Sequence, residues 1–376
     1  MANMFDYLTW RGDLSLSQSP FQDVDSLILS TMSYIFFDGV VAESMEERIT
    51  IGEMVDTFLA RPQAEWKLRI SEDERLLRAL KESDRFINME LCGYVNKLDF
   101  QTEKQFAALT ILLGDGTVFV VYRGTDYSLV GWKENFNMCF MDDVPAQQDA
   151  AAYLTRVAET FPDLELRVSG HSKGGNLAVY AAAMCPKKVQ DRIRVVYNHD
   201  GPGFRETMLG REGYQNILPR MKTFLPQFSV VGLLLEQKGE GIVIHSNESG
   251  IMQHEPYSWE MIGSDFVKHN GLAEKSYFLD HTMSLWLDGL TENQRELFID
   301  TIYEAVADAP VDDFGEAVIS PKMIINTLQA LHAEDEGTKI ISRGFKMLLD
   351  AAKKTADEFA GRSRMDEGER RNQNEK

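Results

Sequence analysis

Cysteine, basic residues and long apolar stretches are all scarce in this sequence. Its 376 residues include only three cysteines, Cys92, Cys139 and Cys185, and none of them belongs to a C-x-x-C pair. That spacing argues against a zinc or redox-dithiol site, so we expect buried thiols and no metal ion. No run of 18 apolar residues occurs, and the first residues lack a basic segment followed by an apolar one. We therefore expect a cytoplasmic protein without stable membrane insertion.

Acidic residues outnumber basic ones by 59 to 39, which gives a formal net charge of −20. A surface of this sign repels phosphate backbones and anionic headgroups, so nucleic acid is not an expected partner. The hydrophobic fraction of 44% is sufficient for a large core, and a single enlarged α/β domain accounts for the length as well as two domains do. The sequence does not indicate an oligomeric state.

One stretch in the middle of the chain changes from strand-like to helix-like periodicity at a serine. Residues 164–168 alternate as in a short strand, whereas residues 175–184 are rich in alanine and leucine, as in a buried helix. Between them, Gly170-His-Ser-Lys-Gly174 fits the G-x-S-x-G nucleophile elbow, in which a strand turns sharply into a helix. The pattern predicts that Ser172 is a nucleophile. A serine that only caps the helix is the alternative.

Other periodic segments predict strands that alternate with helices. Strand-like segments lie at 105–113, 117–122, 194–197 and 241–246. Helical spacing occurs at 24–34, 72–80, 145–161 and from Tyr277 onward. The glycine-rich link Gly114-Asp115-Gly116 predicts a hairpin between the first two strands. We expect Asp23 or Asp25 to cap the first helix and a loop over 131–136.

Two motifs resemble those of the class 3 (fungal-type) lipases. Tyr122-Arg-Gly-Thr-Asp126 is similar to their aromatic-Arg-Gly-Thr oxyanion segment, and Gly170-His-Ser-Lys-Gly-Gly175 is similar to their Gly-His-Ser-Leu-Gly-Gly. The sequence more closely resembles a bacterial lipase-like family called domain of unknown function 2974, in which lysine follows the serine. The further matching segments are Asp25–Leu29, Gly131–Glu134, Asp200–Phe204, Ser229–Gly232 and Gln253–Trp259.

The resemblance implies an α/β-hydrolase fold, with a mostly parallel central sheet, helices on both faces and added helices at both chain ends. We expect a lipase-like domain over 1–300, in which a helical lead over 1–100 packs on the sheet. A helical extension over 301–360 and a disordered tail over 361–376 are expected to follow.

The resemblance also implies His254 as the base for Ser172, because His254 follows the last predicted strand and lies in a segment that matches the family. The chain order of α/β hydrolases, which is nucleophile, acid and histidine, excludes His171. His199 and His245 are the competing histidines. The identity of the acid that would orient His254 is undecided. The segment that carries this aspartate in class 3 lipases has Ser229 here, and a serine cannot replace the charge of a carboxylate. We expect Asp200, which follows the strand at 194–197, with Glu236 as the alternative acid; a simple turn residue is the competing interpretation of Asp200.

The oxyanion hole is expected to use the backbone N–H of Lys173 together with Thr125, which offers its backbone N–H and also its hydroxyl. The Lys173 ammonium is expected to reach solvent or to pair with an acid. Val230, Leu233 and Leu234 belong to an apolar run that predicts either the lining of an acyl pocket or a core strand.

Together these features predict a serine hydrolase that cleaves a small-molecule acyl ester or lipid-like substrate through an acyl-enzyme, without a cofactor. A non-catalytic α/β-hydrolase-fold protein that binds a lipid-like or protein ligand is the alternative.

Overall fold

Eight strands form one sheet in which spatial order follows chain order. The computed structural model describes residues 1–126, 128–138, 141–291, 293–298, 343–344, 346–356 and 358. The strands are β1 (Ile49–Thr50), β2 (Glu90–Asp99), β3 (Lys104–Leu112), β4 (Thr117–Tyr122), β5 (Glu165–His171), β6 (Ile193–His199), β7 (Met221–Pro226) and β8 (Ile242–Ile244). Neighbours from β1 to β4 pair antiparallel, and neighbours from β4 to β8 pair parallel. The expected mostly parallel sheet and the β3–β4 hairpin are confirmed.

Helices precede β1, lie between β1 and β2, or connect the parallel strands from β4 to β7. They are α1 (Met4–Arg11), α2 (Asp23–Met32), α3 (Ile51–Leu59), α4 (Ser71–Lys81), α5 (Leu129–Asn137), α6 (Pro145–Thr160), α7 (Lys173–Met184), α8 (Lys187–Gln190), α9 (Glu206–Leu209) and α10 (Glu212–Ile217). The helices expected at 72–80 and 145–161 are confirmed as α4 and α6. The helix expected at 24–34 is confirmed as α2.

Two apolar cores lie on opposite faces of the sheet because strand side chains alternate. Val121 and Tyr197 belong to the core that includes α1 to α4, whereas Val120 and Val196 belong to the core that includes α6, α7 and α10. In a sequentially ordered parallel sheet, right-handed crossovers place their helices on one face. The N-terminal helices therefore cover the face that the crossovers leave exposed, which gives the expected helices on both faces.

Three local features differ from the sequence-based expectation. The cap of α2 is Gln22 rather than Asp23 or Asp25; Asp25 lies at the third helical position and accepts the Gln22 N–H at 2.7 Å. Residues 131–136 belong to helix α5 instead of a loop. Strands β1 and β2 lie within the lead that we expected to be helical.

The chain divides into two compact units, Met1–Leu272 and Ala273–Lys376. The first unit ends after a small antiparallel pair, β9 (Met261–Ile262) and β10 (Asp265–Phe266). The second contains helix α11 (Glu274–Asp288). The expected extension over 301–360 lies mostly outside the described residues, and the expected tail over 361–376 lies wholly outside them. No helix in the described part of the chain has the length and apolar character needed to span a bilayer.

Candidate functional site

Ser172 occupies a strained turn between β5 and α7. Its backbone angles are φ 58° and ψ −132°, a conformation that a non-glycine residue rarely adopts. Its N–H donates to the His199 carbonyl at 2.9 Å, which fixes the turn against β6. A Cβ at Gly170 would lie 2.1 Å from the Gly174 carbonyl, and a Cβ at Gly174 would lie 2.1 Å from the Tyr122 carbonyl oxygen. Both glycines of G-x-S-x-G are therefore required by close backbone approaches.

A carboxylate and an imidazole meet beside this turn. Asp200 follows β6, whose residue His199 pairs with His171 of β5, so Asp200 and Ser172 follow adjacent strand ends. Asp200 Oδ2 lies 2.6 Å from His254 Nδ1. The Asp200 side chain is fully buried, and the His254 side chain remains 24% exposed. The exposed part of the His254 ring can thus exchange a proton with a ligand, while its Nδ1 is held by the buried Asp200 carboxylate.

In the described part of the chain no hydrogen bond joins the Ser172 hydroxyl to the His254 ring. Such contacts are often long before a substrate binds. Glu236, the alternative acid, is exposed and pairs through its backbone with Phe204. Its carboxylate makes no hydrogen bond to His254. The structure therefore brings Asp200, and not Glu236, to the histidine.

Ser229 and Gly232 lie against the Asp200 carboxylate, and the sequence alone predicts no function for either residue. The Ser229 hydroxyl donates to Asp200 Oδ1 at 2.5 Å. A Cβ at Gly232 would lie 2.3 Å from the same oxygen, so glycine is required there. Both residues belong to the motif Ser229-Val-Val-Gly232. The serine at the position where class 3 lipases have an aspartate is the feature of the sequence that could have pointed to this contact.

His171 supports the loop that carries His254. Its Nε2 lies 2.8 Å from the His254 carbonyl oxygen, and its Nδ1 lies 2.8 Å from the Tyr34 hydroxyl. The two imidazole rings lie with their centroids 4.5 Å apart and their planes tilted by 35°. Burial, helped by the nearby His254 and Arg69, lowers the pKa of His171 well below its usual value. A neutral ring that donates from Nε2 and accepts at Nδ1 satisfies both contacts.

The same loop is tied to the N-terminal helices by charged and polar contacts. The Arg69 guanidinium donates two hydrogen bonds to the Glu255 carboxylate, at 2.5 and 2.7 Å. The Tyr257 hydroxyl donates to Asp73 at 2.8 Å. A bidentate arginine–carboxylate pair and a buried hydrogen bond both have fixed geometry, so they hold residues 254–257 against α4 and the segment that precedes it.

The segment after β4 lies against the turn that carries Ser172. A Cβ at Gly124 would lie 2.7 Å from the His171 carbonyl oxygen, so the backbone next to Thr125 approaches the strand end that precedes Ser172. Thr125 Oγ1 accepts a hydrogen bond from the Asn135 side-chain amide at 2.6 Å. Lys173 begins α7, where first-turn N–H groups have no partner within the helix.

The Lys173 side chain is fully buried, so the expectation that it reaches solvent is wrong and the expected pairing with an acid is found. Its ammonium donates to Glu134 at 2.8 Å and to the Gln105 carbonyl at 2.7 Å. Burial lowers the pKa of Lys173, although the neighbouring Glu134 carboxylate opposes that effect. A hydrophobicity pattern cannot predict a buried glutamate, which is why Glu134 was missed.

The apolar run after β7 forms a short 3₁₀ turn at Val231–Leu233, so the core-strand interpretation is wrong. Val230, Leu233 and Leu234 are half-buried. Their role in a pocket stays a prediction. The competing histidines lie elsewhere: His199 is buried and contacts Ser26 at 2.9 Å, and His245 lies 3.0 Å from Glu260.

A match to a protein family covers more than half of the chain. The family described as Mbeg1-like, a lipase-like family, matches residues 80–304. The chain belongs to the Mbeg1-like family. The matched region includes Ser172, Asp200 and His254. Tyr34 and Arg69 precede the Mbeg1-like match.

Solved structures with a similar fold include fungal lipases. The lipase–propeptide complex of Rhizomucor miehei has 14% sequence identity and a TM-score of 0.39; the alignment covers 65% of this chain and 80% of that chain. The mono- and diacylglycerol lipase from Aspergillus oryzae has 11% identity and a TM-score of 0.37, with 68% and 88% of the two chains covered. No curated protein matches the Mbeg1-like chain by sequence.

Proposed function

We propose that this protein is a serine hydrolase that cleaves an acyl ester through an acyl-enzyme on Ser172. The observation that carries the proposal is the 2.6 Å contact between Asp200 and His254 beside the strained Ser172 turn. A serine hydroxyl is a weak nucleophile unless a base accepts its proton. A histidine held by a buried carboxylate next to a half-buried serine at a strand-to-helix turn supplies that base.

In the proposed reaction, His254 donates its Nδ1 proton in a hydrogen bond to Asp200 and keeps a lone pair on Nε2. Nε2 accepts the Ser172 proton as Oγ forms a bond to the acyl carbon, and the carbonyl electrons move onto oxygen. When this intermediate collapses, the C–O bond to the alcohol breaks and the leaving oxygen takes the proton from Nε2. Water then repeats the sequence on the acyl-enzyme, which releases the acid and restores Ser172.

The negative oxygen of the intermediate is proposed to accept hydrogen bonds from the Lys173 backbone N–H and from Thr125. The position of Lys173 directly after the nucleophile and the approach of Gly124 to the His171 carbonyl support this assignment. None of these steps requires a metal ion or a cofactor.

The substrate is proposed to be a small-molecule acyl ester or lipid-like ester. Partly exposed apolar side chains at Val230, Leu233 and Leu234 follow Ser229, which contacts the Asp200 carboxylate, and this supports an acyl-binding role. The closer relation to the bacterial family called domain of unknown function 2974 and the cytoplasmic location remain predictions.

Hydrolysis of a nitrophenyl ester series, from acetate to long acyl chains, tests the proposal. We expect turnover by the native protein and its loss in Ser172→Ala. If acyl-chain binding by 230–234 is right, the ratio of kcat to KM rises with chain length. A folded native protein that hydrolyses no member of the series would favour the non-catalytic binding protein instead.

A further inference from the structure

Helix α5 contacts both residues of the proposed oxyanion hole through two consecutive side chains. Glu134 Oε2 accepts a hydrogen bond from Lys173 Nζ at 2.8 Å. The next residue, Asn135, donates from its side-chain amide to Thr125 Oγ1 at 2.6 Å. Lys173 and Thr125 belong to different segments of the chain, one after β5 and one after β4. A single helix therefore holds both.

Glu134 is fully buried, and each of its carboxylate oxygens has a defined partner. Oε2 accepts from Lys173 and from the Gln105 N–H at 3.0 Å, and Oε1 accepts from the Ala146 N–H at 2.9 Å. Ala146 lies in the first turn of α6, where a negative charge is favoured by the helix dipole. Glu134 thus joins β3, α6 and the nucleophile turn at one point.

In the contact between Asn135 and Thr125 the threonine hydroxyl is the acceptor, and this decides whether its proton is free to stabilise an oxyanion. A threonine hydroxyl has one proton and two acceptor lone pairs. Because Asn135 donates to Thr125 Oγ1, it occupies a lone pair and leaves the hydroxyl proton available to another acceptor. An oxyanion at Ser172 is such an acceptor.

We propose that Glu134 and Asn135 are positioning residues that align the two donors of the oxyanion hole, Asn135 through the Thr125 hydroxyl and Glu134 through the Lys173 side chain. This inference rests on the proposed ester hydrolase function. It assigns α5 a role in transition-state stabilisation that neither lipase-like motif contains.

The same helix provides a matched control. Asn137 is buried whereas Asn135 is half-buried, and the Asn137 side-chain amide donates to Glu103 at 3.0 Å instead of to Thr125 or Lys173. Replacing Asn137 by alanine removes one buried amide contact of α5 without changing a contact to Thr125 or Lys173. A loss of activity that comes only from loosening α5 would appear in this variant as well.

A double-mutant cycle between Asn135→Ala and Thr125→Val tests the proposal, with kcat and KM measured on one nitrophenyl ester. Each rate is normalised by active-site titration with a fluorophosphonate, so that unfolded protein does not count. Thr125→Val removes the hydroxyl donor, and loss of one such donor lowers kcat by about 100-fold. We expect Asn135→Ala to lower kcat by about 10-fold with unchanged KM, as for an interaction made only in the transition state.

Because Asn135 acts through the Thr125 hydroxyl, the double variant should match Thr125→Val within about twofold. Asn137→Ala should keep the native kcat. Glu134→Gln preserves the shape of the side chain but not its charge, and it should lower kcat several-fold at constant KM. Asn135→Asp, whose carboxylate only accepts hydrogen bonds, should capture the Thr125 proton and lower kcat below that of Asn135→Ala.

Additive effects in the cycle, an equal loss in Asn137→Ala, or native kcat in Asn135→Asp would overturn the proposal while the ester hydrolase function stands. If the native protein and Ser172→Ala hydrolyse the ester equally, the proposed function fails and the positioning role fails with it. The two failures are thus distinguishable in one set of assays.

Discussion

The Ser229 hydroxyl donates to Asp200 Oδ1 at 2.5 Å, and the other oxygen of that carboxylate lies 2.6 Å from His254 Nδ1. Asp200 follows β6, whereas Ser229 follows β7. The resemblance to class 3 lipases implies an aspartate in the segment that here contains Ser229. In this chain the carboxylate instead follows the neighbouring strand β6, and the Ser229 hydroxyl orients it through a hydrogen bond.

Replacing Asp200 by asparagine tests the acid directly. The amide keeps the shape of the carboxylate but loses the charge and the control of the His254 tautomer, so we expect kcat to fall by up to about 10⁴-fold. Circular dichroism and nitrophenyl ester kinetics on the same samples check the fold and the rate. Glu236→Gln should be fully active, since that side chain is exposed. A native rate in Asp200→Asn together with an inactive Glu236→Gln would exchange the two assignments.

Ser229→Ala should lower kcat by about 10-fold, because a hydrogen bond to a charged group contributes roughly 1.5–3 kcal/mol and here it orients the acid. The effect should nearly vanish when Asp200 is already asparagine, since the two residues act in one network. Steady-state kinetics on the single and double variants measure this dependence. Equal fold losses in both backgrounds would show that Ser229 acts independently of Asp200.

The buried Lys173–Glu134 pair predicts a particular pattern of stability. Lys173→Leu leaves the Glu134 carboxylate buried without its cation, which should lower the free energy of unfolding by about 3–5 kcal/mol. Lys173→Leu combined with Glu134→Gln removes both charges and keeps an acceptor oxygen at position 134 for a backbone N–H of Gln105 or Ala146, so it should recover part of that loss. Urea denaturation of the three proteins provides the comparison. A double variant that is less stable than Lys173→Leu would contradict the view that an unpaired Glu134 charge causes the loss of stability.

His199 predicts a loss of stability in mild acid. Burial lowers the pKa of His199 to about 3, whereas an unfolded histidine titrates near 6.5. Below about pH 6.5 the unfolded chain therefore binds a proton that the folded chain does not, and stability falls as pH decreases towards 3. His199 should account for about 2 kcal/mol of lost unfolding free energy between pH 7 and pH 5.

Denaturation curves at both pH values for the native protein and for His199→Gln check this effect. The variant should lose less stability on acidification, because glutamine retains a polar partner for Ser26 but does not titrate. Exposed His269 provides the control, and His269→Gln should follow the native curve. Parallel curves for the native protein and His199→Gln would refute the prediction.

Segments with clear periodicity were predictable from the sequence. The β5–Ser172–α7 turn is marked by alternation, then by two glycines, then by an alanine-rich stretch. Strand β2 was missed because Gly93, with φ 65°, interrupts its alternation at a register shift between Cys92 and Val95. A pattern with period two cannot be recognised across such a bulge.

The missed parts of the site are polar groups that are buried in pairs. The sequence predicts a loop over 131–136 because Gly131 and the charged Glu134 interrupt the apolar spacing of α5. The buried glutamate is explained by its contacts with Lys173 and with two backbone N–H groups. The contact between Ser229 and Asp200 could not be predicted from the sequence, because the two residues follow different strands, β7 and β6. Such pairings depend on the register of the sheet, which local sequence does not encode.

Intact-protein mass spectrometry after treatment with a nitrophenyl dialkyl phosphate tests the central claim most directly. The native protein should gain one dialkylphosphoryl group, located by peptide mapping on Ser172, and release one equivalent of nitrophenol. Ser172→Ala should gain none, and His254→Ala should react at least about 100-fold more slowly, since it lacks the base. A folded native protein that stays unmodified, or that is modified equally when Ser172 is alanine, would contradict the assignment of Ser172 as the nucleophile.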